Sequence, residues 1–203
     1  MKAAYEERLE CRKSFGGTEV FFRPMKPSDE ERLKELFYSQ SAETTRLRYG
    51  IPLKTLSPKQ LHDLVCVDFR DSMAIAGFVR ERGRERMICV GRYCGQAGDP
   101  AAEAAFTVHD DYQNRGIGTF LINFLAGIAL ERGVTAFTAE VSPGNIRILR
   151  AFRSCFDRME ETDLGPDGVV LSLPLSGWRG REPDTGRSVA DLKTTEAHKG
   201  AMS

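Results

Sequence analysis

Residues 110–133 read DDYQNRGIGTFLINFLAGIALERG, and this stretch decides the fold. Ile117, Phe120, Leu121, Phe124, Leu125, Ile128 and Ala129 recur at i, i+3, i+4, i+7, i+8, i+11 and i+12 without a miss. That spacing predicts one wide apolar stripe on a helix of about four turns. Gly133 ends it. Ahead of the stripe stands Gly116-Ile117-Gly118. Glycine at a helix start costs about 1 kcal/mol relative to alanine, so something should offset it. A helix start carries unpaired N–H groups and a partial positive charge, and missing side chains let an anion reach the backbone. Arg115 adds a guanidinium fork suited to phosphate oxygens. The chemistry is that of a phosphate cradle, although a tight loop needing positive φ would use the same residues.

The segments on either side set the topology. Before the cradle, Ser72–Val79, Arg86–Tyr93 and Ala101–His109 read as three strands joined by short loops, an antiparallel meander. After it, Val134–Val141 reads as a strand, so strand–helix–strand implies one parallel crossover. Asn145 opens a further helix with Ile148, Leu149 and Phe152 inward, and two final strands are expected near 156–161 and 168–174. Upstream, Thr18–Arg23 is a short strand. Ser28, with Glu31 as capping-box partner, starts a helix to about Gln40, and Ser57-Pro58 starts another. Residues 1–17 read as a polar extension with a short helix over Ala3–Cys11. Residues 177–203 lose periodicity and read as a loosely attached tail, leaving one domain over 18–176. The expected class is α/β, a mostly antiparallel sheet of about six or seven strands with one parallel splayed pair and about four helices.

Composition narrows the function. Lysine plus arginine total 29 and aspartate plus glutamate total 29, which argues against a dedicated nucleic-acid binder. No apolar run approaches the roughly 18 residues of a membrane span, and MKAAYEERLECRKSF lacks an apolar leader core. Cys11, Cys66, Cys89, Cys94 and Cys155 are odd in number and scattered, as in a reducing cytoplasmic setting. His62, His109 and His198 lie far apart, so no metal is expected. The cradle is no Walker loop, because no Gly-Lys-Ser/Thr follows, and no dinucleotide fingerprint, because Leu121 replaces its third glycine.

Gln113-Asn114-Arg115-Gly116-Ile117-Gly118 resembles the Gln/Arg-x-x-Gly-x-Gly/Ala signature of the GNAT family of N-acetyltransferases. The order of strand, loop, helix, strand and Asn145 helix agrees as well. FFRPMKPSDEERLKELFYS, LSPKQLHDLVCVDF and AAEAAFTVHDDYQNRGIGTFLI are similar to the bacterial protein-lysine acetyltransferase branch, whose members modify AMP-forming acyl-CoA synthetases. The resemblance implies acetyl-CoA as co-substrate. Phe106, Thr107 and Val108 would contact pantetheine, Gln113 through Thr119 (with Asn114, Arg115, Gly116, Ile117 and Gly118) the pyrophosphate, and Asn145 the cofactor arm. Asn145 is equally a helix cap. The resemblance places a general base at Glu103 and lets the Val108 N–H polarise the thioester carbonyl; the plain alternative for Glu103 is an exposed strand carboxylate. Ala101, Ala102, Ala104, Ala105 and Phe106 around it suggest burial. The sequence departs from the family pattern at Phe152, where many members carry a proton-donating tyrosine, and at Cys155-Phe156, where Gly-Phe is usual.

A base has work to do. A lysine amine is neutral in roughly one molecule in 2,500 at pH 7, a penalty of about 4.6 kcal/mol. The leaving thiolate, with a pKa near about 8.5, needs no strong acid. The expected activity is acetyl transfer to a protein lysine by direct attack on the thioester. A small-amine acceptor or a non-catalytic acyl-CoA sensor are the alternatives. Neither nucleic acid nor membrane is expected as a partner, and oligomeric state is not legible.

Overall fold

The computed structural model describes residue 5 and residues 7–49, 55–96 and 98–180. The expected tail beyond residue 180 lies outside them. One eight-stranded sheet runs in the order β1-β2-β3-β4-β5-β6-β8-β7. The strands are β1 (Cys11–Phe15), β2 (Thr18–Pro24), β3 (Ser72–Glu81), β4 (Arg84–Gly95), β5 (Ala101–Val108), β6 (Ala136–Val141), β7 (Glu160–Asp163) and β8 (Val169–Pro174). Five described helices flank them: α1 (Glu30–Ser39), α2 (Ala42–Tyr49), α3 (Pro58–Val65), α4 (Ile117–Glu131) and α5 (Ile146–Cys155). Every strand pair is antiparallel except β5–β6. None of the described helices is long and apolar enough to cross a membrane.

The sheet has a core on each face. Alternation along β3 sends Met73 and Ile75 to the side covered by α4, with Phe22, Leu121, Leu125 and Phe137. Ala74, Ala76 and Phe78 go to the side covered by α1 and α3, with Leu33, Leu36, Phe37 and Val65. All seven stripe residues of α4 are buried. A bulge at Gly77/Phe78 interrupts the β3–β4 register, where a Cβ on Gly77 would lie 2.4 Å from the Cys89 Sγ.

Three elements differ from the sequence expectation. Cys11 begins strand β1 rather than ending a helix, and Gly16-Gly17, both at positive φ, close a two-residue hairpin to β2. Residues 42–49, expected as loop, form α2, whose start is held by a group distant in sequence. Trp178 docks on α4, donating from Nε1 to the buried Asn123 Oδ1 at 2.8 Å, so packing continues past residue 176.

The expected Ser28–Glu31 capping box is replaced by an ion pair. Arg23 donates two bonds of 2.7 Å to Asp29, which also accepts from the Lys26 N–H at 2.9 Å. Asp29 is fully buried, and the Arg23 guanidinium lies 4.1 Å over the Phe78 ring. Burial opposes the Asp29 charge, but Arg23, the Lys26 amide and Arg32 outweigh it and hold the carboxyl below its usual range. A depressed carboxylate stabilises the fold above its unfolded pKa and ceases to as pH falls through the folded value. Asp29→Asn should therefore lower unfolding free energy in urea by about 3 kcal/mol at pH 7. The difference from wild type should shrink below about pH 4.

Candidate functional site

The parallel pairing of β5 with β6 covers only Ala101↔Ala136, Ala102↔Phe137 and Glu103↔Thr138. Beyond Glu103 the two strands diverge. The β4–β5 ladder shows what this exposes. His109 N–H donates to Ile88 O at 2.8 Å, and Cys89 faces Val108 in register. Odd-numbered residues of β5 therefore bond β4, while Phe106 and Val108 turn their N–H groups toward the missing part of β6. The Phe106 ring fits because its register partner is Gly91, on which a Cβ would lie 2.9 Å from that ring. On the far side Phe106 meets Phe152 of α5 edge-on at 5.9 Å.

The splay opens into a cleft of about 300 Å³. Phe106, Thr107 and Val108 form one wall. Gln113, Asn114, Gly116, Gly118 and Thr119 form the floor, Asn145, Arg147, Ile148, Arg150 and Ala151 the second wall, and Thr44, Leu47 and Arg48 the roof. Gly116 caps α4 at φ 89° and Asn114 sits at φ 59°, so the loop turns twice through left-handed space. A Cβ on Gly118 would find ordinary contact with Val108, at 3.9 Å; crowding within the protein does not demand glycine there. Arg48, Arg147 and Arg150 line the cleft and no carboxylate does. An α-helix start with three arginines fits a phosphate-rich molecule such as CoA.

Two of the expected cofactor residues keep their side chains out of the cleft. The Arg115 side chain turns away from the cleft. It donates to the Asp111 carbonyl at 2.6 Å and to Thr18 at 3.3 Å, and it stacks on Tyr112. Its fork thus straps the loop from behind, beside a separate hollow. Ile117 is buried in the core and only its backbone belongs to the helix start. The sequence reading missed Arg147 and Arg150, although their spacing three apart, opposite Ile148 and Leu149, marks the outer face of α5. Asn145 is a helix cap, its Oδ1 accepting from the Ile148 N–H at 3.4 Å, and it also lines the cleft.

Side chains tie roof, floor and second wall together. Ser41 caps α2, its Oγ accepting from the Thr44 N–H at 3.1 Å, and Asp110 holds that cap from the far side of the chain, accepting from Ser41 N–H at 2.8 Å, Ser41 Oγ at 2.7 Å and Thr44 Oγ1 at 2.7 Å. Burial works against the Asp110 charge, but these donors hold the carboxyl below its usual range. Gln113 Nε2 donates to Val108 O at 2.9 Å and to Thr44 Oγ1 at 3.1 Å, and Gln113 Oε1 accepts from Arg147. Gln40 joins α1 to Thr107 at 2.8 Å.

Glu103 stands apart from the cleft. Strand parity puts it on the face opposite Ala102 and Ala104, and it is exposed, so the expected apolar burial is absent. It lines a neighbouring groove of about 340 Å³ with Arg48, Tyr49, Asp63, Arg92 and Cys94, among others. Arg48 lines both spaces and marks their junction.

With this geometry in place the comparisons are direct. The pattern of the Acetyltransferase (GNAT) family matches residues 30–156, well over half of the chain. The chain belongs to the GNAT acetyltransferase family. It is 32% identical over 117 residues to Acetyltransferase PA5475 of Pseudomonas aeruginosa, covering 58% of this chain and 63% of that protein. It is 33% identical over 158 residues to Acetyltransferase Pat of Mycolicibacterium smegmatis, covering 77% of this chain and 45% of that protein. The match thus spans less than two thirds of either relative. The GNAT domain of S. lividans PAT superposes with a TM-score of 0.71 at 29% identity, over 81% of this chain and 96% of that domain. The PaiA N-acetyltransferase from Thermoplasma acidophilum, in complex with coenzyme A, shares the fold, with a TM-score of 0.53 at 14% identity over 76% of this chain and 98% of that chain.

The hold of Asp110 on the Ser41 cap generates a prediction. Asp110→Ala should speed amide exchange at Ser41 and Thr44 at least about fivefold, as loosening of a helix cap implies, while exchange within α4 stays unchanged.

Proposed function

We propose that this chain transfers an acetyl group from acetyl-CoA to an amine, foremost a lysine side chain of a protein such as an AMP-forming acyl-CoA synthetase. The observation that carries this reading is the break in the β5–β6 ladder immediately after Glu103. It sets a phosphate-compatible cleft on one side and a carboxylate-bearing groove on the other, joined at Arg48. The similarity to Pat acetyltransferases supports the acceptor class.

In this reading the phosphates lie at the N-terminus of α4 with Arg147 and Arg150, and pantetheine runs along Phe106–Val108 as a surrogate β6. The Phe106 N–H, directed into the splay and three positions from Glu103, donates to the thioester carbonyl and stabilises the charge that develops there, whereas Val108, five positions or about 16 Å along the strand from Glu103, contacts pantetheine instead. The amine enters from the groove. Glu103 takes its proton, directly or through water, as the nitrogen attacks the carbonyl carbon. The C–S bond then breaks and the thiolate leaves. Phe152 cannot donate a proton, and a thiolate does not need one to depart.

Incubating the chain with acetyl-CoA and an AMP-forming acetyl-CoA synthetase should add one acetyl group to a synthetase lysine, read by intact mass and peptide mapping. Glu103→Gln should slow the addition by at least about a hundredfold while CoA affinity holds within about twofold. Equal rates for both proteins would remove Glu103 from the mechanism. No addition by either, with CoA bound, would overturn the protein-lysine acceptor.

A further inference from the structure

The groove beside Glu103 is lined by two arginines, Arg48 and Arg92, and two carboxylates, Asp63 and Glu103. Asp63 is already engaged, accepting from Lys59 at 2.5 Å. That leaves Glu103 facing two arginines, Arg48 and Arg92. Neither forms an ion pair among the described residues. Arg48 rests its guanidinium 4.9 Å from the Tyr49 ring centroid and donates no hydrogen bond to a described residue. Arg92 makes a single long contact, 3.5 Å to the Leu64 carbonyl. Both are partly withdrawn from water, and burial pulls each pKa below the usual arginine value; Tyr49 and Glu103 act against this at a distance for both, and Asp63 for Arg92, but none of them occupies a guanidinium donor.

Two partly buried, under-partnered guanidinium groups are costly in the free protein. They become favourable only when an anion fills their donor positions, and a planar fork is matched best by a carboxylate. The cleft's own anions belong to the far wall, where Arg147 and Arg150 stand; Arg92 lines only the groove.

Resting on the acceptor reading above, we infer that the acceptor brings its own carboxylate: the reacting amine lies at Glu103, and an acidic group beside it is held by Arg92 and Arg48. In a protein this group is an aspartate or glutamate next to the target lysine. In a free amino acid it is the molecule's own carboxylate.

The test uses the full chain, acetyl-CoA and three peptides identical except for the residue after the lysine, Glu, Gln or Arg, with free lysine as a fourth acceptor. Wild type should favour the Lys-Glu peptide over the Lys-Gln peptide in kcat/KM by at least about tenfold, and the ratio should fall as salt rises. Arg92→Glu should invert the order, favouring Lys-Arg, with CoA affinity confirming that the variant folds. Equal wild-type rates on all peptides overturn this inference and leave the function standing. Acetylation of free lysine but of no peptide overturns the protein acceptor and assigns the subsite to an amino-acid carboxylate. Acetylation of none, with CoA bound, overturns both.

Discussion

The hydrogen bonds that β6 does not make organise this molecule. A parallel neighbour would ordinarily satisfy every second N–H of β5. Here the pairing ends at Glu103↔Thr138, and the backbone amides of Phe106 and Val108 are left facing a cleft. Apolar packing borders the gap: the Phe106 ring is seated over Gly91 and against Phe152. The sheet's continuity on either side is intact, with β4–β5 paired over seven positions and β6–β8 over six. The opening is therefore a rigid slot rather than a frayed edge.

Around the slot the protein separates its charges by task. The cleft has arginines and helix-terminal amides but no carboxylate lining it. The groove has two carboxylates, Glu103 and Asp63, together with Arg92, and Arg48 stands at the boundary. The same residues that build the phosphate loop also place the roof. Asp110, two residues beyond the end of β5, holds the Ser41 cap of α2, and Gln113 spans Val108, Thr44 and Arg147. Thus α2, which carries Arg48, is positioned by the loop expected to hold the phosphates.

Much of this was written in local pattern. The stripe of α4, the meander of β3–β5, the crossover to β6 and the glycine cradle are short-range signals, and each stands where periodicity placed it. What escaped was decided over long distances. Helix α2, with the sequence AETTRLRY, has little amphipathic pattern, and its Ser41 cap is itself held by the distant Asp110. Strand β1 carries only Cys11 and Phe15 as buried positions, too few to announce a strand, although Gly16-Gly17 was a legible hairpin turn. In the site, residue type was legible but direction was not. Arg115 has the chemistry for phosphate yet points at Thr18, while Arg147 and Arg150 line the cleft from another helix. Glu103 stands on the strand as expected, but parity turns it out of the apolar surroundings that its neighbours suggested.

The central claim is that the splay presents the Phe106 and Val108 amides to acetyl-CoA, and amide hydrogen exchange resolved by residue tests it most directly. Adding acetyl-CoA should slow exchange at Phe106 and Val108 by at least about tenfold, as new hydrogen bonds to a ligand require. Thr107, already bonded to β4 by the ladder's parity, should change far less. Slowing at Thr107 but not at its two neighbours, or no change on saturation with acetyl-CoA, would contradict the account.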